Sequence, residues 1–126
     1  MKQSTREWIR KAESDYLLAL SLTQRRKVPV RDHACFHFQQ SAEKYLKAGL
    51  EEGGIRFPRI HDLAELIRLA MPLHPLWSAL VPAARRLNDY AVKVRYPGTD
   101  ATPAEMKAAA RAAKSIRAEV RLALSL

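Results

Sequence analysis

The sequence predicts an all-α antiparallel up-and-down bundle of four long helices plus a short one. Three observations carry this. Apolar residues recur at three- and four-residue spacings nearly throughout, no stretch alternates with a period of two, and proline or glycine interrupts the pattern only at brief connections. Brief connections favour antiparallel neighbours. The first helix is expected from about Ser4 to Gln24, with Trp8, Ile9, Ala12, Tyr16, Ala19 and Leu20 on one arc. Pro29 stops it near Arg26, because a proline drives the residue before it out of the helical region. The second helix runs from about Arg31 to Glu52, with Asp32 as N-cap and Gly53-Gly54 as the stop. Its apolar arc holds Ala34, Phe38, Ala42, Tyr45, Leu46 and Leu50.

Residues 55–60, with Pro58, read as a loop. A third helix follows from about Asp62 to Met71 and buries Leu63, Leu66, Ile67 and Ala70. Pro72, Pro75 and Pro82 then punctuate the chain, leaving a short helical piece around Leu76–Leu80. The next helix begins with Pro82 in its first turn and runs to about Val94, burying Ala83, Leu87, Tyr90, Ala91 and Val94. Pro97-Gly98 closes it. The last helix opens on Thr102-Pro103-Ala104-Glu105, a capping box with proline at the first helical position. It runs to about Ala123, with Ala109, Ala112, Ala113, Ile116, Val120 and Leu124 inward and Lys107, Arg111, Lys114, Arg117 and Arg121 on the opposite face.

Composition narrows the function. The chain has 126 residues and a mass of 14.3 kDa, the size of one domain spanning residues 1–126. A single cysteine, Cys35, excludes an internal disulfide framework and a multi-cysteine zinc site. Four glycines, with no G-x-G-x-x-G or Walker run, exclude a glycine-rich phosphate loop. Lys and Arg total 22 against 13 Asp and Glu, giving a net charge of +9. Such a balance suits a polyanionic partner: nucleic acid, nucleotide, an anionic membrane surface or an acidic protein. Residues 1–20 lack the apolar core of a leader, and no run is apolar enough to span a bilayer, so a cytoplasmic protein without membrane contact is expected.

Three clusters carry the functional reading. On the second helix His33, His37, Gln40, Lys44, Lys47 and Glu51 follow one another at spacings of 4, 3, 4, 3 and 4, a continuous polar stripe beside the apolar arc. Ammonium groups supply point charges and imidazole and amide groups supply directional donors, which suits a phosphate-bearing ligand. The same stripe is also what a solvated flank or a homodimer seam looks like. His33 and His37 stand at i, i+4 with no third ligand in sequence, so no metal site is expected. His61-Asp62 opens the third helix, Asp62 as cap, with the neighbouring carboxylate able to orient the imidazole for acid–base work. Asn88, Asp89, Tyr90, Arg95 and Tyr96 form the third cluster. Arg95 sits where a helix dipole favours a cation, and Tyr96-Pro97 makes a rigid turn that would present it to phosphate.

Together these pieces resemble the HEPN family (higher eukaryotes and prokaryotes nucleotide-binding) over nearly the whole chain. The resemblance is carried by Trp8, Ala12, Asp15 and Ala19, by the run Ala34-Cys35-Phe36-His37-Phe38-Gln39-Gln40-Ser41-Ala42-Glu43-Lys44-Tyr45-Leu46-Lys47-Ala48, by His61-Asp62-Leu63 with Leu66, and by Asn88, Tyr90 and Arg95-Tyr96-Pro97. It implies an antiparallel bundle, commonly dimeric, linked to nucleotides or RNA. It also implies, for many small relatives, pairing with a minimal nucleotidyltransferase in a toxin–antitoxin system. Some relatives are metal-independent ribonucleases with an Arg-x(4–6)-His motif after the penultimate helix. Here residues 96–101 contain no histidine, which leans the expectation away from an enzyme. Matches elsewhere, Arg26/His33, Arg31/His37, Arg56/His61 and Arg68/His74, lie off the family position.

The expectation is therefore a HEPN-like homodimer that needs no cofactor and binds nucleotide or RNA. Lys44, Lys47 and Arg95 would contact phosphate, Tyr96 would stack on a base, and His37 and Gln40 would donate hydrogen bonds. His61, Asp62, Asn88 and Tyr90 complete the set. One alternative is a metal-independent ribonuclease using His37 or His61 instead of the family histidine. Another is a structural interaction protein with no ligand, in which the stripe is a protein interface.

Overall fold

The computed structural model describes residues 1–93 and 96–126. It contains α1 (Gln3–Leu22), α2 (Val28–Glu52), α3 (Leu63–Ala70), a 3-10 turn (Pro75–Leu80), α4 (Val81–Lys93) and α5 (Pro103–Ala123). No strand occurs among the described residues. Side-chain pairs fix the directions. Thr5 meets Glu52 while Asp15 meets His37, so α1 and α2 are antiparallel. Glu13 meets Arg117, and Lys93 meets Glu105 across the α4–α5 connection, so α5 runs against both α1 and α4. The four long helices thus run up, down, up and down, with α3 and the 3-10 turn filling the crossover between α2 and α4. No helix among the described residues is long and apolar enough to cross a membrane.

α2 is the axis of the molecule. Phe38, Ala42, Tyr45, Leu46 and Leu50 are essentially inaccessible, and residues 41–50 are buried apart from half-buried Lys44. The helix is covered on nearly every side by α1, α3, α4 and α5. Each large apolar side chain withdrawn from water contributes about 1.5–3 kcal/mol, and α2 supplies Phe38, Tyr45, Leu46 and Leu50 to that gain. α2 also starts three residues earlier than expected. Pro29 lies in its first turn, where the missing N–H has no partner to lose, so the residue read as a stop for one helix begins the next. Asp32 is consequently inside the helix and is no N-cap. Its carboxylate accepts from the Ala101 N–H at 2.7 Å, and the Arg31 guanidinium donates to the Ala101 carbonyl at 2.9 Å. The residue that leads into α5 is clamped on both sides.

Other expectations shift by small amounts with clear causes. Leu20 is 37% exposed rather than core, and Ala84 is buried where Ala83 was expected. Val94 lies outside the described residues. Arg117 and Arg121 leave the solvent face: Arg117 Nε donates to both Glu13 oxygens at 3.0 and 3.1 Å, and Arg121 Nη1 lies 3.4 Å from Glu13 and from the Tyr45 hydroxyl. Fully buried Tyr45 donates its hydroxyl proton to the same carboxylate. Glu13 therefore ties α1, α2 and α5 together. Two N-caps match the sequence reading: Thr102 and Glu105 form the reciprocal capping box, and Asp62 caps α3.

This packing sets two tests. A Cβ at Gly49 would sit 2.6 Å from Cη2 of Trp77, which is buried and stacked on His74 at 4.2 Å between ring centroids. The indole cannot retreat into solvent, so Gly49→Ala should lower stability by about 1–2 kcal/mol despite the better helix propensity of alanine. A thermal melt with an unchanged or raised midpoint would show instead that the 3-10 turn yields. The second concerns acid. Burial alone would raise the Glu13 pKa, but hydrogen bonds from Arg117 and Tyr45 and the charges of Arg117 and Arg121 outweigh it and hold the carboxyl below its ordinary value of 4.5. Its contribution is complete above the unfolded-state pKa and is lost as pH falls through the folded one. Below pH 4.5, Glu13→Gln should therefore lose stability less steeply than the parent chain, measured by melts across an acid series; superimposable acid limbs would remove Glu13 from that account.

Candidate functional site

α2 carries Gln39, Glu43 and Lys47 at successive i, i+4 positions, and all are buried, at 3%, 4% and 6% exposure. Glu43 is the centre of a network. Its Oε2 accepts from Lys47 Nζ at 3.1 Å, and its Oε1 lies 2.9 Å from His61 Nδ1 and 3.4 Å from Gln39 Nε2. Gln39 Nε2 also donates to the His61 carbonyl at 3.1 Å, and Gln40 Nε2 donates to Gln39 Oε1 at 2.9 Å. Lys47 Nζ stands 5.6 Å from the Trp8 ring centroid and 5.9 Å from that of Phe57, so the ammonium is enclosed by one carboxylate and two aromatic faces.

His61 is held differently. Its Nδ1 is occupied by Glu43, yet its side chain is 70% exposed. The Glu43 contact at Nδ1 orients the ring, and the rest of the exposed imidazole is left to give or take a hydrogen bond. Beside it Asp62 accepts from the Ala64 and Glu65 N–H groups at 3.0 and 3.4 Å as the cap of α3. Asn88, arriving from α4, donates to Asp62 Oδ1 at 2.8 Å and accepts from the Leu63 N–H at 3.3 Å. Gln39, His61, Asp62 and Asn88, with Ala91 and Val92 as an apolar wall, line a cleft of about 280 Å³.

The polar stripe on α2 therefore divides. His37 and Lys44 turn towards α1, where Asp15 Oδ1 lies 3.0 Å from His37 Nδ1 and Asp15 Oδ2 accepts from Lys44 Nζ at 2.5 Å. Lys47 turns inward to Glu43, and Gln40 supports Gln39 from the edge. Neither lysine presents a free ammonium, because each faces a carboxylate. Tyr90 is half-buried and packed on the core, and Tyr96 is 64% exposed on the turn after α4. Arg95 lies outside the described residues. His61, Asp62 and Asn88 are thus brought together, whereas His37 and Lys44 form a separate group. Among the described residues no three His, Cys, Asp or Glu side chains gather as metal ligands would.

Sequence reasoning did not single out Asp15, Gln39 and Glu43 as site residues. The Gln39, Glu43, Lys47 spacing was a usable signal, since i, i+4 neighbours on a helix meet. Chemically, the cleft wall holds one carboxylate, that of Asp62, two amides and one imidazole, with Glu43 buried behind it. Its negative edge repels phosphate and suits the amino and hydroxyl groups of a base or ribose, with Ala91 and Val92 against a flat apolar surface.

The buried pair sets a test. Glu43→Ala would strand the Lys47 ammonium and should cost about 3–5 kcal/mol in denaturant unfolding, while Glu43→Leu combined with Lys47→Met should recover most of that loss. Equal losses in both variants would mean that the shape of the site, and not its charge, matters.

Three comparisons bear on this architecture. The family model described as HEPN domain matches residues 5–123. The fold is similar to that of TT1696 from Thermus thermophilus, a crystal structure, with a TM-score of 0.80 and 24% identity over 95% of this chain and 98% of that one. Among curated proteins none matches significantly.

Proposed function

The chain belongs to the HEPN domain family, and on that premise we propose that it binds nucleotide or RNA, with the base or ribose end of the ligand in the cleft between α2, the α2–α3 connection and α4. The observation that carries this reading is His61, an exposed imidazole locked in one orientation by a buried carboxylate at the mouth of that cleft. Asn88 and Asp62 offer further donors and acceptors, and Gln39 holds the peptide of His61 in place. Phosphate contact is assigned to Arg95 and base stacking to Tyr96. In this reading Lys44 and Lys47 do not touch phosphate. They neutralise Asp15 and Glu43 and so fix α1 and the α2–α3 connection. His37 and Gln40 act in the same supporting way.

Val92 on the cleft wall and Tyr96 on the turn after α4 are 52% and 64% exposed, apolar surface that a second copy would cover, and a homodimer is part of the proposal. A minimal nucleotidyltransferase as partner in a toxin–antitoxin pair, in the cytoplasm, belongs to it on the strength of the family. A second reading is favoured by the Glu43–His61 dyad itself. His61 Nε2 would take the proton of an RNA 2′-hydroxyl as that oxygen attacks the adjacent phosphorus and the 5′-oxygen leaves, protonated by water.

Titration of the folded protein with nucleotides and short RNAs tests the first reading. His61→Ala and Arg95→Ala should each weaken binding by roughly tenfold, the worth of one charge-assisted hydrogen bond, with circular dichroism showing both variants folded and His61→Ala melting somewhat lower because Glu43 loses a partner. Unchanged affinity in both variants would overturn it. RNA cleavage that survives EDTA and disappears in His61→Ala would establish the second reading, and intact RNA across varied sequences would remove it.

A further inference from the structure

Away from the cleft, α1 and α5 part company. They are stapled where Glu13 meets Arg117, whose guanidinium also lies 4.8 Å from the centroid of the Tyr16 ring. Two turns further along α1 the helices diverge into a groove of about 350 Å³ lined by Leu20, Thr23, Gln24, Met106, Lys107, Ala110 and Arg111. Leu17, which shares a helical face with Glu13, Leu20 and Gln24, is 58% exposed, and Leu20 is 37% exposed. The floor is apolar and its rim is basic.

The charge around this groove has one sign. Residues 16–31 and 106–118 contain no Asp or Glu. Lys107 and Arg111 stand on the lining, exposed Lys114 follows one turn on, and exposed Arg25, Arg26 and Lys27 leave the end of α1. Among the described residues none of these six cations pairs with a carboxylate. Lys44, Lys47, Arg117 and Arg121 are each paired, whereas these six leave the groove with local positive charge that no carboxylate offsets.

We propose that the groove between the C-terminal half of α1 and the N-terminal half of α5 docks an acidic amphipathic helix of a partner protein. Leucine-like side chains at i, i+3 or i+4 and i+7 would enter between Leu17, Leu20, Met106 and Ala110, and flanking carboxylates would meet Lys107, Arg111 and the Arg25–Lys27 run. Such a pairing gains affinity from buried apolar area and selectivity from opposed charge. RNA fits less well. No aromatic ring lines the groove, so bases have no platform on which to stack, and an apolar floor does nothing for a phosphate backbone.

A panel of synthetic helical peptides tests this, with leucines at that spacing in varied register and glutamates on the flanks. Controls are scrambled peptides of the same composition, poly-glutamate and single-stranded RNA. At least one patterned peptide should bind and shift the amide resonances of residues 17–27 and 106–114, and its scrambled form should bind about tenfold more weakly. Lys107→Glu combined with Arg111→Glu should abolish the interaction, Leu20→Gln should weaken it several-fold, and circular dichroism should show both variants folded. His61→Ala should leave peptide binding intact, which separates this surface from the nucleotide cleft. Failure of the whole panel overturns the proposal. So does equal binding by scrambled peptide or poly-glutamate, and so does a surface that takes RNA and no peptide.

Discussion

One carboxylate, that of Glu43, decides how the central helix can be buried. α2 is surrounded by four other helices, and a helix in that position has no wet side on which to leave its polar residues. Lys47 and Gln39 lie inside because Glu43 gives the first a counter-charge and the second an acceptor. The same carboxylate reaches His61 and so fixes the connection that carries the chain from α2 into α3. Burying a charge is tolerable only when it is paired and its remaining hydrogen-bonding positions are filled, and both conditions are met here. Fold and candidate site depend on the same few atoms.

A consequence is a separation of charge. Carboxylates of α1 and α2 neutralise cations of α2 and α5: Asp15 with Lys44, Glu43 with Lys47, Glu13 with Arg117 and Arg121. The cleft beside His61 is left with an acidic edge, in a protein whose overall sign is opposite. Part of the uncompensated positive charge stands at the end of α1 and on the outer face of α5. A single net-charge figure hides this, because the two lysines of the α2 stripe already face carboxylates.

Local signals were legible in the chain and long-range ones were not. The capping box at Thr102 and Glu105 and the cap at Asp62 use atoms within one turn, so residue types at fixed spacing reveal them. Pro29 was ambiguous, because a proline both ends one helix and suits the first turn of the next. The stripe on α2 was seen, but periodicity tells only which residues share a face. It cannot tell that another helix covers that face, and α2 is covered almost all round. Asp15 lies 22 residues from His37 and Glu13 lies 104 from Arg117, distances at which only the packed structure reveals a partner. Arginine adds a further difficulty, since its long stem lets a residue on an outer helical face reach a carboxylate inside.

The double hold on Ala101 has an implication for how far the molecule can respond. Its amide and carbonyl are both committed to the first turns of α2, and Lys93 at the other end of the preceding connection is tied to Glu105. Residues 96–100, which include Tyr96, therefore lead straight into a fixed mooring on the rigid frame, so their accommodation of an incoming molecule is a matter of local adjustment.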